Sequence, residues 1–261
     1  MYDSQARWQY SLIPRFSSMD PLAEDYYHLS PYAYCAGDPM NLVDPDGRKI
    51  MISDGTNMYI WMEHNGVWGF YDNDGNLYSG DTEYMNEYSN ALIDLLGTNT
   101  GKYLVTTLVN NDDFTVTLIG ESEESSYKTC KGENKIYWNY KDPEPAPTDN
   151  GPNSNAVTNL GHELAHAVYH MNGNDITEIW FPIKSTGHVV RKSEIFTTHY
   201  ENKLRAEKGL PIRTHYVMNS KGNGVYNPIT LNGKSLFYDI YENTNYKKLP
   251  DEKIGYSYRQ H

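Results

Sequence analysis

The chain has 261 residues, and 22 Lys and Arg against 34 Asp and Glu leave a net charge of −12. That length allows one large domain, or one medium domain with an appendage, and enough chain to bury a sizeable core. The acid excess argues against nucleic acid as a partner, because no cation surplus is there to neutralise phosphates. Two cysteines, Cys35 and Cys130, are too few for a disulfide framework or a cysteine zinc site. No window approaches the roughly 18 apolar residues of a membrane span. The start, Met1-Tyr2-Asp3-Ser4-Gln5, is polar, so no signal peptide is expected in this chain.

Residues 1–48 are punctuated by Asp20-Pro21, Asp38-Pro39, Asp44-Pro45 and Asp46-Gly47. The residue before proline avoids the helical region, so short strands and turns with little core are expected here. From Lys49 the pattern changes. Short strands are predicted over 49–53, 58–62, 67–71 and 76–78, separated by Asp54-Gly55, Asn65-Gly66 and Asp74-Gly75, each of them hairpin-turn chemistry. The stretch Asp72-Asn73-Asp74-Gly75-Asn76 has its glycine at the wrong position for a calcium loop, so it too is read as a turn. A helix fits 81–96, with Tyr84, Tyr88, Leu92 and Leu95 at helical spacing and Gly97 as stop.

Residues 104–109 fit either helix or strand, whereas 115–119 and 135–140 read as strands. The proline-rich run 142–153 reads as an extended surface connection. Two helices follow. Over 156–171, Leu160, Leu164, Val168 and Met171 form one apolar stripe, ended by Asn172-Gly173. Over 194–208, Ser193 is the expected N-cap, Phe196, Tyr200 and Leu204 lie on one side, and Gly209 stops the helix. The tail from Asn219 reads as loops and short strands.

Chemistry concentrates in His162-Glu163-Leu164-Ala165-His166, inside the first of those helices. Residues four apart are rotated by about 40° and stacked roughly 6 Å along the axis, so both imidazoles face one spot. Zinc accepts neutral histidine nitrogen and can take both, while Glu163 flanks that face as a base rather than a ligand. A hydrolytic site needs a third protein ligand and an open position. Asn172 stands where an extended three-histidine pattern would need histidine, so a glutamate from a following helix is the usual alternative. Glu194 opens that helix, and His188 and His199 compete with it; His170, one turn beyond His166, shares the metal face in an outer or exposed role.

The run from Leu160 to Gly173, followed by Glu194, by Glu201-Asn202-Lys203-Leu204-Arg205 and by Gly209 to Tyr216, resembles the effector-type HExxH zinc metallopeptidases. These are the NleD-like effectors and their relatives at the ends of polymorphic toxins. The resemblance covers roughly 81–216. It implies a zincin-like fold, endopeptidase activity on a protein substrate, a single Zn²⁺, and a glutamate third ligand in the gluzincin manner, carried over to Glu194. Arg213-x-x-Tyr216 is similar to the Arg-x-x-Tyr pair that clostridial neurotoxin light chains hold near their zinc.

The N-terminal segment has its own resemblance. Arg15-Phe16, Asp20-Pro21-Leu22, Ser30-Pro31-Tyr32-Ala33-Tyr34, Asp38-Pro39-Met40-Asn41 and Asp44-Pro45-Asp46-Gly47 resemble the end of an Rhs-repeat-associated core. The resemblance implies a large shell ahead of a variable toxin domain, secretion or delivery into a target cell within a larger protein, and an immunity protein as partner. Asp20 and Asp44 match the pair that supports self-cleavage in that family, although Arg48 stands where cleaving members carry Leu.

The expected architecture is therefore α+β: an Rhs-core remnant over 1–48 and a zincin-like domain over 49–261. Within the latter, 49–80 form a β-hairpin region, 81–218 the catalytic core and 219–261 a C-terminal extension. Zinc is expected on His162, His166 and Glu194, with Glu163 as base and Arg213 or Tyr216 stabilising the oxyanion. The strand at 135–140 is expected to offer an edge to an extended substrate. The rival expectations are a non-catalytic interaction module and a zinc hydrolase acting on another bond.

Overall fold

The computed structural model describes residues 49–111, 113–183 and 187–259, together with the backbone of three short strands ahead of them. Those strands, β1 (Tyr2–Asp3), β2 (Trp8–Tyr10) and β3 (Arg15–Phe16), pair antiparallel in the order β1-β2-β3. Asp20, Asp44, Arg48 and the other Asp-Pro motifs of the Rhs-like segment lie outside the described residues.

A six-stranded mixed sheet carries the first half of the domain. β4 (Ile50–Ser53), β5 (Met58–His64) and β6 (Val67–Tyr71) form an antiparallel meander. Its turns are built as the residue types predict: Asp54 Oδ1 accepts the backbone N–H groups of Thr56 and Asn57, both at 2.8 Å. Asp72 Oδ1 likewise accepts from the N–H groups of Asp74 and Asn76, which makes 72–76 a turn. Parallel pairing of β4 with β7 (Val116–Leu118) demands a crossover, supplied by α1 (Glu83–Leu96) and α2 (Asn99–Val109). The ambiguous run 104–109 is thus helix, with Leu104, Val105 and Leu108 buried on one stripe.

β9 (Glu133–Tyr137) lies parallel to β7, and β8 (Ser126–Cys130) pairs antiparallel outside it, giving the order β6-β5-β4-β7-β9-β8. The expected edge over 135–140 is therefore corrected. β9 is held on both sides, and the edge on this side of the sheet belongs to β8, a strand too polar and too exposed to be flagged by its sequence. The proline-rich 142–153 is also more ordered than expected. It folds into the hairpin β10 (Ala146–Thr148) and β11 (Gly151–Asn153), and Ala146 and Pro147 are buried.

α3 (Ala156–Met171) begins with Asn155, whose side chain accepts the Thr158 N–H, and Gly173 at φ +78° ends it in a conformation glycine adopts freely. The Trp138 indole donates to the Ala156 carbonyl at 2.7 Å and ties this start to the sheet. Leu160, Leu164 and Val168 are fully buried against α1, α2 and the sheet. Truncating one of them to alanine costs about 2–5 kcal/mol. A hairpin of β12 (Ile179–Ile183) and β13 (His188–Arg191) connects α3 to α4 (Ser193–Glu207). The backbone is already helical at Lys192, so Ser193 falls inside the first turn rather than at the cap.

At the crossing of α3 and α4, a Cβ on Gly161 would lie 2.2 Å from Leu204 Cδ1. A larger residue here would have to displace the buried Leu204 side chain, so glycine suits the close approach that brings the two polar faces together. Behind α4 stand β14 (His215–Met218) with β15 (Gly224–Pro228), then β16 (Thr230–Leu231), β17 (Lys234–Asp239) and β18 (Gly255–Ser257). They close a second core of Ile195, Ile212, Leu236, Phe237, Tyr238 and Tyr258. Among the described residues, no helix is long and apolar enough to cross a membrane.

Candidate metal centre

His162 and His166 project from consecutive turns of α3, their ring centroids 5.0 Å apart. Glu194, in the first turn of α4, meets them. Its Oε2 lies 3.1 Å from His162 Nε2 and 3.4 Å from His166 Nε2. The three ligand atoms all lie within 4.8 Å of one another, so the group could hold a metal ion. Two imidazole nitrogens and one carboxylate suit zinc in number and kind, and leave a position for a reacting group.

A second carboxylate sits behind the first histidine. Glu201 Oε2 lies 3.0 Å from His162 Nδ1, so Nδ1–H donates to it and Nε2 is the nitrogen that faces Glu194. Glu201 in turn accepts from Arg205 Nε at 2.8 Å and Arg213 Nη1 at 2.7 Å. Arg205, wholly buried, also donates to Asn153 Oδ1 at 2.9 Å, so the β10–β11 hairpin helps to fix the centre. Burial would raise both carboxyls, but neighbouring cations outweigh it. Arg213 and Arg205 hold Glu201 well below the usual carboxylate range, and the two histidines hold Glu194 low. Burial likewise opposes a charge on His162, yet Glu194 and Glu201 hold its imidazole up at about 10.

Glu163 is buried beside the pair; burial pushes its carboxyl up, and the Tyr127 backbone N–H donates to it. Tyr127 comes from the edge strand β8. Its ring lies parallel to His166 at 6.1 Å between centroids, and its hydroxyl bridges His170 Nδ1 at 2.7 Å and Asn134 Oδ1 at 3.0 Å. Since the Asn134 amide donates to the Thr115 carbonyl, its oxygen faces Tyr127; the phenol donates there and accepts from His170 Nδ1–H.

The other histidines named above lie elsewhere. His170 is engaged with Tyr127 and Phe114, and His188 is exposed on β13. His199 points away from α3, stacked on Tyr238 at 3.8 Å with Nδ1 2.7 Å from the Tyr258 hydroxyl.

Arg213 and Tyr216 both reach the centre, differently from one another. The Arg213 guanidinium faces protein acceptors: Glu201, the His215 carbonyl at 3.1 Å and the Tyr216 carbonyl at 2.9 Å. The Tyr216 ring lies under that guanidinium, and the charge of Glu194, then burial, drives its phenol well above the usual range. A cleft of about 370 Å³ opens over His162, Glu163 and Tyr216, with Glu124 and Glu144 at its rim. Glu201 and Arg205 enter the sequence reading only as members of the effector-like run, with no role at the centre, and Tyr127 does not enter it. The available signal was the seven-residue spacing from Glu194 to Glu201, two turns apart on one helix face.

No family model matches the chain, and no curated protein matches it. The Salmonella zinc metalloprotease effector GtgA is 16% identical over 54% of this chain and 74% of its own, with a TM-score of 0.36. The precursor of protealysin, a metalloproteinase from Serratia proteamaculans, is 18% identical over 72% of this chain and 57% of its own, with a TM-score of 0.31. Likenesses this distant carry no assignment of chemistry.

Proposed function

We propose that the chain is a zinc-dependent endopeptidase. The observation that carries this reading is the convergence of Glu194 Oε2 on His162 Nε2 and His166 Nε2, with the buried Glu163 alongside. These three side chains would hold Zn²⁺, which when bound supplies a Lewis acid and lowers the pKa of water toward about 7. Glu163, its carboxyl raised by burial, takes a proton from the attacking water and delivers it to the leaving amine. The Tyr216 hydroxyl donates to the carbonyl oxygen as it gains charge. Arg213 is a positioning residue, tying the Tyr216 backbone to Glu201. An extended peptide pairs with the outer edge of β8, whose Tyr127 already touches Glu163 and His166.

The finer reading rests on the sequence resemblances. Residues 1–48 are the end of an Rhs-type core, and the domain over 49–261 is a toxin or effector that cuts a protein in a target cell and is restrained by an immunity protein. The test is cleavage of a protein mixture by the zinc-loaded chain. Glu163→Gln is expected to lower turnover by up to about 10⁴-fold while zinc content stays the same. A glutamine variant with full proteolytic activity would sink the assignment of the base. An uncut mixture, with zinc bound, would leave a hydrolase of another bond or an interaction module.

A further inference from the structure

Between Glu194 and Glu201 on the inner face of α4 lies Thr197, with no exposed surface. The three positions i, i+3 and i+7 of one helix stack along the α3 crossing. The Thr197 hydroxyl is 3.1 Å from His162 Nε2 and 3.3 Å from Glu194 Oε2, the same two atoms that face each other at 3.1 Å. Its remaining acceptor is the Glu194 backbone carbonyl at 3.4 Å, a longer bond within the helix. A buried hydroxyl that touches a ligand nitrogen and a ligand oxygen at once has a specific consequence for both.

We propose that Thr197 is a positioning residue of the metal centre, its hydroxyl fixing which Glu194 oxygen faces the two imidazoles. The inference rests on the metal-centre reading above. A hydroxyl has one proton to donate. His162 Nδ1–H is committed to Glu201. Nε2, whether it carries a proton or holds a cation, is no acceptor, which leaves Glu194 Oε2 as the charged one within reach. A hydrogen bond to a carboxylate is shorter and stronger than a neutral one. Glu194 reaches the centre on a side chain with three rotatable bonds, and Thr197 holds it from the same helix, one turn on.

Zinc affinity, measured by competition with a chelator, tests this on the intact chain. Thr197→Val keeps the shape and removes the hydroxyl; it is expected to weaken zinc by about 10–100-fold, the usual effect of losing an outer partner of a ligand. The visible spectrum of the cobalt(II)-substituted protein, which reports ligand geometry, is expected to shift in parallel. Thr197→Ser keeps the hydroxyl and is expected to restore both. Should the valine variant fail to fold, Thr197→Ala takes its place with the same expectation. Affinity within about twofold of wild type in the hydroxyl-free variant would overturn the proposal, as would equal weakening in the serine variant. His162→Ala separates the two readings. Zinc bound as tightly by that variant as by wild type would refute the centre itself, whereas a loss there with none at Thr197 refutes only the threonine's role.

Discussion

The two faces of α4 each meet a buried histidine, and they treat its charge in opposite ways. Facing α3, His162 is 7% exposed and lies between Glu194 and Glu201, which hold the imidazole up at about 10. Facing the C-terminal sheet, His199 is 3% exposed, and burial lowers it to about 4. Burial is nearly equal, so it does not decide the outcome. What differs is the number and freedom of the carboxylates. Among the described residues, His162 has two at 3.0–3.1 Å, both buried; His199 has Glu242 alone at 3.3 Å, which Lys203 already pairs with at 2.6 Å. One face brings a carboxylate to each nitrogen of its imidazole; the other packs a neutral ring among tyrosines.

That contrast is sharpest in metal binding. Glu194→Ala is expected to weaken zinc beyond the roughly 10–100-fold cost of losing an outer partner, because it removes a ligand itself. His199→Ala is expected to leave zinc affinity unchanged. A reversed result in chelator competition would transfer the third-ligand role to the far face of α4. Next in size is Tyr216→Phe, which keeps the ring under Arg213 and removes the hydroxyl. It is expected to lower kcat by about 10²–10³-fold with near-normal KM and zinc content. A normal kcat would leave zinc alone to receive the developing charge. Glu201→Gln is a gentler change. It keeps a hydrogen-bond acceptor for His162 Nδ1 but leaves the buried Arg205 without its ion-pair partner. Zinc affinity should fall by about 10–100-fold, accompanied by lower thermal stability. If stability falls with zinc affinity unmoved, Glu201 serves the fold and not the centre.

The parts of this arrangement that were legible in the sequence are those encoded by local spacing. The stripe of Leu160, Leu164 and Val168 and the His162–His166 pair follow from helical periodicity within α3, and its end from Asn172-Gly173. The hairpins of β4–β6 follow from their Asp-Gly and Asn-Gly turns. What the sequence left open depends on which distant segments meet. Nothing local separates Glu194 from His199 as third ligand, since both lie on α4, five residues apart and on opposite faces. The edge strand β8 reads as Ser-Tyr-Lys-Thr-Cys, polar and half-exposed, because its one functional face is a single tyrosine. The 142–153 run looked like a linker for its prolines, yet Asn153 is an anchor for Arg205, a contact across 52 residues. Arg213 read as an oxyanion donor beside Tyr216; the partners that engage its guanidinium, Glu201 among them, belong to the tertiary fold.

The smallest effect tests the far face by pH. A histidine lowered from 6.5 to about 4 on folding binds fewer protons in the native than in the unfolded chain between those values. Stability from this group is therefore complete above pH 6.5 and is lost progressively as pH falls toward about 4. Glu242, lowered from 4.5 to about 2, is largely ionised in both states above pH 5. The window from pH 6.5 to 5 thus isolates His199 on that face. At about 1.4 kcal/mol per pH unit, the loss there is on the order of 2 kcal/mol. His199→Gln cannot titrate. Comparing unfolding free energies of the zinc-loaded wild type and variant at pH 7 and pH 5 removes the contribution of every other group. The wild type is expected to lose about 2 kcal/mol more than the variant on acidification, with activity at pH 7 alike in the two. Parallel pH profiles would mean that His199 keeps its charge in the fold, and the two faces of α4 would then be electrostatically alike.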